Sequence, residues 1–214
     1  MRWSRGALAP VSVLVLTVLL MVVGLTVGFE SFNGKGFVAR AVVYPLLMLV
    51  VPVVWWWRHR GRAADRADPV DPPWGAFALV MLPFLIDVLG NFLDLYDTIE
   101  AWDDVNHLVN WFLLLWGIGL LLFPTAASVG RPGLAVLTVA GTGALLAVLW
   151  EVGEWFVFLR AGVEVERLYQ DTLGDELLGS TGALLAGVLV VWWRRRNAPG
   201  DRGRSTSRLS ESNR

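Results

Sequence analysis

Six apolar runs, each near the length of about 20 residues that a membrane-spanning helix needs, dominate this 214-residue chain. They cover roughly 7–28, 37–57, 74–93, 105–123, 133–158 and 171–193. Within lipid a backbone must satisfy its own N–H and C=O groups, which a helix does locally. The prediction is therefore an all-α polytopic membrane protein with six transmembrane helices. No segment between the runs is long enough for a second, soluble domain. The first run follows MRWSR and spans about 22 residues, longer than a signal-peptide core of about 7–15, and no A-x-A site follows. It reads as a span rather than a cleaved leader.

Basic residues set the orientation. Cytoplasmic flanks of membrane proteins are enriched in Lys and Arg. With the N-terminus in the cytoplasm, fourteen basic residues fall inside: Arg2, Arg5, Arg58, Arg60, Arg62, Arg66, Arg131, Arg194, Arg195, Arg196, Arg202, Arg204, Arg208 and Arg214. Four fall outside: Lys35, Arg40, Arg160 and Arg167. Both termini are then cytoplasmic, in a plasma membrane. "WWWRHR" (55–60) and "WWRRR" (192–196) place Trp beside Arg, as at a headgroup boundary. The single Lys among 18 basic residues fits a GC-rich bacterial genome. The basic clusters read as topology signals, with anionic-lipid contact as the alternative; nothing suggests nucleic acid.

The charged, Pro-containing stretch 58–73 divides the chain. Residues 1–57 form a first hairpin (spans 7–28 and 37–57), 74–193 a four-helix unit, and 194–214 a basic tail with the composition of a disordered segment. Arg40, near the outer end of its span, is expected to snorkel outward.

The acids sort to one side. Only Asp65, Asp68, Asp71, Asp201 and Glu211 fall inside on this topology; the other fourteen of 19 lie outside or in the outer part of a span. Asp94, Asp97, Glu100 and Asp104 suit a loop or the interface. Others recur at helical spacing, on one face each. Asp87, Asn91 and Asp94 do so in the third span. Asp103, Asn106, His107 and Asn110 do so in the fourth. Glu151 and Glu154 close the fifth, and Asp171 and Asp175 open the sixth. Small residues continue the last two stripes: Ala147, Ala144 and Ala140 in one, Gly182 and Ala186 in the other. Such residues let membrane helices approach closely. A carboxylate facing lipid at mid-bilayer costs at least about 2.5–3.5 kcal/mol. Four such stripes are cheapest if they converge. Helices 3–6 are therefore expected to form a bundle with one polar pocket in its outer half.

These residues carry a resemblance. "EVGEW" (151–155) resembles the E-x-x-E-W motif of the uncharacterised YjdF-like bacterial inner-membrane proteins. "DTLGDELLGSTGALLAG" (171–187) resembles their D-T-x-x-D segment and small-residue helix, and Asp103 with His107 matches a D-x-x-x-H. A more distant similarity is to VanZ-like proteins. The match covers roughly residues 80–190. Leu173, Glu176 and Trp111 depart from the pattern. The resemblance implies a multi-pass inner-membrane protein and names no activity.

Three functions remain open. Asp103, His107, Glu151, Glu154, Asp171 and Asp175 offer oxygen and imidazole ligands for a divalent cation. With Asp87, Asn91, Asn106, Asn110, Arg160 and Arg167 as further binding residues, the pocket could take a cation or a lipid headgroup. A metal-activated water could instead act on a lipid-linked or polyprenyl phosphate, making the chain an enzyme. A transporter is the third reading. Against it, "WFLLLWGIGLLLF" (111–123) continues the fourth span without a polar side chain other than Trp, and ion paths normally show a polar line. With no Cys, thiolate metal sites and thiol nucleophiles are excluded.

Overall fold

The computed structural model describes residues 5–60, 71–160 and 165–198, apart from the side chains of residues 157–160, 167 and 168. Among the described residues seven α-helices follow one another: α1 (Leu8–Val27), α2 (Phe37–Arg60), α3 (Trp74–Phe92), α4 (Leu95–Thr98), α5 (Trp102–Leu122), α6 (Pro132–Arg160) and α7 (Val165–Arg196). Among the described residues there is no strand. Six helices are long and apolar enough to cross a membrane; α4 is a single turn between α3 and α5. Five spans lie within three residues of those read from the sequence; α7 begins at Val165, six residues before the expected 171, so Asp171 and Asp175 lie inside it rather than opening it. The fourth begins three residues earlier, so Asp103 and Asp104 sit in the first turn of α5, where the helix dipole favours acids. The tail beyond residue 198 and residues 61–70 of the 58–73 stretch lie outside the described residues.

Why the helices pack as they do is visible at their small residues. In a bilayer, close backbone approach replaces the hydrophobic drive of soluble cores. A Cβ added to Gly182 of α7 would strike the Leu108 carbonyl oxygen and lie 2.9 Å from the Phe112 amide nitrogen of α5. One added to Gly143 of α6 would strike the Ala183 Cβ of α7. One added to Gly117 of α5 would lie 2.8 Å from the Ala76 carbonyl oxygen of α3. So α7 seats between α5 and α6, α3 lies on α5, and α1 lies on α3. Trp111 fills the space over Gly179, whose added Cβ would lie 2.8 Å from the indole ring. Below the polar stripes the interior is apolar: Trp111, Leu115, Val139, Ala147, Ala183 and Ala186 form one core.

The outward faces match a lipid solvent. Val38, Val42, Leu46, Val50 and Val53 of α2 are exposed, as are Val15, Leu19 and Val22 of α1. At one end of the bundle Arg60 lies over the Trp56 ring (5.5 Å to the centroid) and Arg196 over Trp192 (5.1 Å). At the other end α2 begins, α3 ends, α5 begins, α6 ends and α7 begins. That second, acidic end holds the site.

Candidate metal centre

Two polar groups occupy the acidic end, and their chemistry differs. The first is built around Asp87, in the last turns of α3 behind Pro83. Its carboxylate accepts hydrogen bonds from Arg40 Nη1 (3.0 and 2.8 Å), the Tyr44 hydroxyl (2.6 Å) and the Tyr96 hydroxyl (2.8 Å). Arg40 and Tyr44 come from one face of α2, at i and i+4. Tyr96 comes from α4, which the chain reaches because Asp94 adopts a left-handed backbone, φ 58°. Burial, with the Asp87 charge beyond it, pushes the Tyr96 hydroxyl pKa up and keeps it a donor. From Tyr96 the chain continues to Asn106, whose Nδ2 donates to the Tyr96 oxygen, and to Asn110, whose Nδ2 donates to Asn106 Oδ1 (2.8 Å). Asn91 Nδ2 donates to the Asp87 backbone carbonyl (3.0 Å). Asp87 is thus fully engaged.

Arg40 does not snorkel outward. Its Nη2 donates to Glu154 Oε1 of α6 (3.1 Å), so one guanidinium ties α2 to both α3 and α6. Inward pairing wins because two carboxylates on neighbouring helices need a cation in a medium where unpaired charge is costly.

The second group is different: its members approach without bonding. His107 of α5 is buried. Its Nε2 lies 3.6 Å from Asp103 Oδ1, one turn back on α5, and 3.6 Å from Asp175 Oδ2 of α7. Its Nδ1 lies 3.8 Å from Glu151 Oε1 of α6. These separations are longer than hydrogen bonds. His107 Nδ1 and Glu151 Oε1 are buried and have no hydrogen-bond partner, although Glu151 and Asp175 are only 5% and 4% exposed. Among the described residues, the ion pairs of Asp103, Glu151 and Asp175 involve no Lys or Arg.

Such spacing suits ligands around an ion. Two ligand atoms each about 2.0–2.2 Å from a tetrahedral metal sit about 3.3–3.6 Å apart. Two groupings could hold one: Asp103, His107 and Asp175, or His107, Glu151 and Glu154, with ligand atoms within 4.8 Å of one another in each. Glu154 is already held by Arg40, which favours the first. Asp171, one turn before Asp175, is exposed and outside both groupings. The side chains of Arg160 and Arg167 lie outside the described residues. Of the residues picked out by their stripes, the structure brings Asp103, His107, Glu151 and Asp175 together, links Glu154 to Arg40, and places Asp87, Asn91, Asn106 and Asn110 in the hydrogen-bonded group. The stripes did not reveal Arg40, Tyr44 and Tyr96. An Asp87 inside a span does call for a cationic neighbour, but nothing in the sequence says which one.

Fold and site together define a helical membrane protein with a buried acid–histidine cluster at one end of its bundle. The chain belongs to the family described as Predicted membrane protein (DUF2238), whose sequence model matches residues 12–196. Neither the curated proteins nor the solved structures contain a match to it.

Proposed function

We propose that the acidic end binds one divalent cation through Asp103, His107 and Asp175. The carrying observation is the His107 environment: a buried imidazole with carboxylate oxygens at 3.6, 3.6 and 3.8 Å and a buried Nδ1 that lacks a hydrogen bond. With the cation on Nε2, Nδ1 must carry the proton and faces Glu151. A closure of about 0.8 Å would make that a hydrogen bond, giving the carboxylate–histidine–metal arrangement that orients metal-bound imidazoles. A cation also supplies a charge that no Lys or Arg among the described residues gives to these three clustered carboxylates. One imidazole with carboxylates suits Zn²⁺ or Mn²⁺ better than the all-oxygen cages of Ca²⁺.

Binding rather than conduction is the favoured role. Trp111, Leu115 and Val139 pack together in an apolar core next to the cluster, and among the described residues that core holds no charged side chain. A second reading rests on a specific feature. Three protein ligands leave a fourth tetrahedral position, as in catalytic zinc sites, and the Asp103 side chain is 43% exposed there. A metal-activated water acting on a lipid-linked phosphate fits that opening.

We read the protein as a YjdF-like member of a bacterial plasma membrane, supported by the E-x-x-E-W and D-T-x-x-D motifs. The distribution of basic residues supports cytoplasmic termini and an outward-facing acidic end. The division into an N-terminal hairpin and a four-helix unit rests on the charged, Pro-containing stretch 58–73 between them; α1 nevertheless lies on α3.

The test is linkage. A ligand that binds only the folded state stabilises it by RT ln(1 + [L]/Kd), about 2.7 kcal/mol at a hundredfold excess over Kd. Adding Zn²⁺ or Mn²⁺ to chelator-treated protein in detergent should raise Tm, and should do so far less in His107→Ala. An equal rise in parent and variant would refute the site.

A further inference from the structure

A second site opens where α2 and α6 diverge. The two helices meet through the Arg40–Glu154 bond and through the Tyr44 and Trp150 rings, 6.1 Å apart. Beside these contacts lies a cavity of about 260 Å³. Its walls are Ala39, Val43 and Leu47 of α2 and Leu149, Trp150 and Gly153 of α6; Lys35, Arg40 and Glu154 stand at its polar end.

Three observations identify the occupant. The first is depth. From Gly36 to Leu47 the α2 wall runs about 16 Å at about 1.5 Å per residue, half of a hydrocarbon core of about 30 Å. The groove therefore spans one leaflet, with charge at its interfacial end and apolar walls toward the midplane. The second is donor supply. A guanidinium has five N–H donors, and the described hydrogen bonds of Arg40 are three. Lys35, with three donors, makes one hydrogen bond among the described residues, to Asp97 Oδ2 at 2.7 Å, and that partner is 54% exposed and so readily exchanged. The third is room. A Cβ added to Gly153 meets nothing within 4 Å.

We propose that this groove holds a phospholipid of the surrounding leaflet, with its phosphodiester at Lys35 and Arg40 and one acyl chain along Val43, Leu47, Leu149 and Trp150. The assignment stands apart from the cation: it uses none of Asp103, His107 or Asp175.

The experiment is lipid titration of delipidated full-length protein in detergent, read by native mass spectrometry. The probes are phosphatidylglycerol and, as a phosphate-free comparison with the same chains, diacylglycerol. The parent should bind one phosphatidylglycerol more tightly than diacylglycerol. Gly153→Trp, which fills the groove, should abolish the bound lipid, whereas Leu137→Trp at an exposed position elsewhere on α6 should not. Lys35→Gln should weaken phosphatidylglycerol binding about tenfold, the effect of losing one hydrogen bond to a charged group, and leave diacylglycerol unchanged. Should Gly153→Trp fail to fold, Lys35→Gln decides alone. Equal binding of the two lipids, or no loss in Lys35→Gln, overturns the proposal.

Discussion

Arg40 Nη1 of α2 lies 2.8 Å from Asp87 Oδ2 of α3, and both side chains are mostly buried. The same carboxylate receives Tyr44 and Tyr96, and the same guanidinium reaches Glu154. Removing one partner would leave a buried charge uncompensated. Asp87→Ala should therefore destabilise the protein by about 3–5 kcal/mol, with a comparable loss for Arg40→Ala. The double variant should lose much less than the sum. Denaturant or thermal unfolding in detergent measures this; strict additivity would mean that the two residues act independently.

Close helix approach makes a contrasting pair of glycine predictions. Gly182→Ala forces α7 away from the α5 backbone at Leu108, and overpacking of this kind costs about 1–3 kcal/mol. A Cβ at Gly174, nine residues into α7, meets nothing within 4 Å. Gly174→Ala should be neutral or stabilising by up to about 1 kcal/mol through helix propensity. Similar Tm values for the two variants would contradict the packing described.

Lys35 and Asp97 form an exposed pair whose effect should be small and pH-dependent. The hydrogen bond from Lys35 holds the Asp97 carboxyl below its ordinary value of 3.8. A depressed folded-state pKa stabilises above the unfolded value and loses that contribution as pH falls through the folded one. Asp97→Asn should thus cost no more than about 1 kcal/mol at neutral pH, and the difference should vanish in strong acid. A gap between parent and variant Tm that widens on acidification would contradict this.

Orientation is tested by reporter fusions at residues 32, 65, 98, 128, 164 and 205. They should alternate, beginning outside and ending in the cytoplasm. An external signal at residue 65 would invert the topology and turn the acidic end inward.

The spans were legible because bilayer thickness fixes their length and apolar composition marks it. His107 and its carboxylates were legible as neighbours because lipid penalises each stripe separately, so convergence follows from cost alone. The Arg40 pairing was not. Snorkelling and inward pairing both satisfy an arginine near a helix end, and only the position of Asp87 and Glu154 across two other helices decides between them. Tyr96 was hidden for a related reason. It reaches Asp87 through the turn at Asp94 and the single-turn α4, and side-chain periodicity carries no information across such a break. The distinction between a saturated carboxylate at Asp87 and an oxygen without a hydrogen bond at Glu151 also needs three-dimensional partners, since both look alike as acids at helical spacing.

Metal stoichiometry tests the central claim most directly. Full-length protein stripped with chelator, dialysed against excess Zn²⁺ or Mn²⁺ and then freed of unbound ion should retain one ion per chain by elemental analysis. His107→Ala and the double variant Asp103→Asn/Asp175→Asn should retain close to none while still inserting and folding. Asp87→Asn, which alters only the hydrogen-bonded group, should retain the ion. Absence of bound metal in the parent, or equal retention in His107→Ala, would contradict the account.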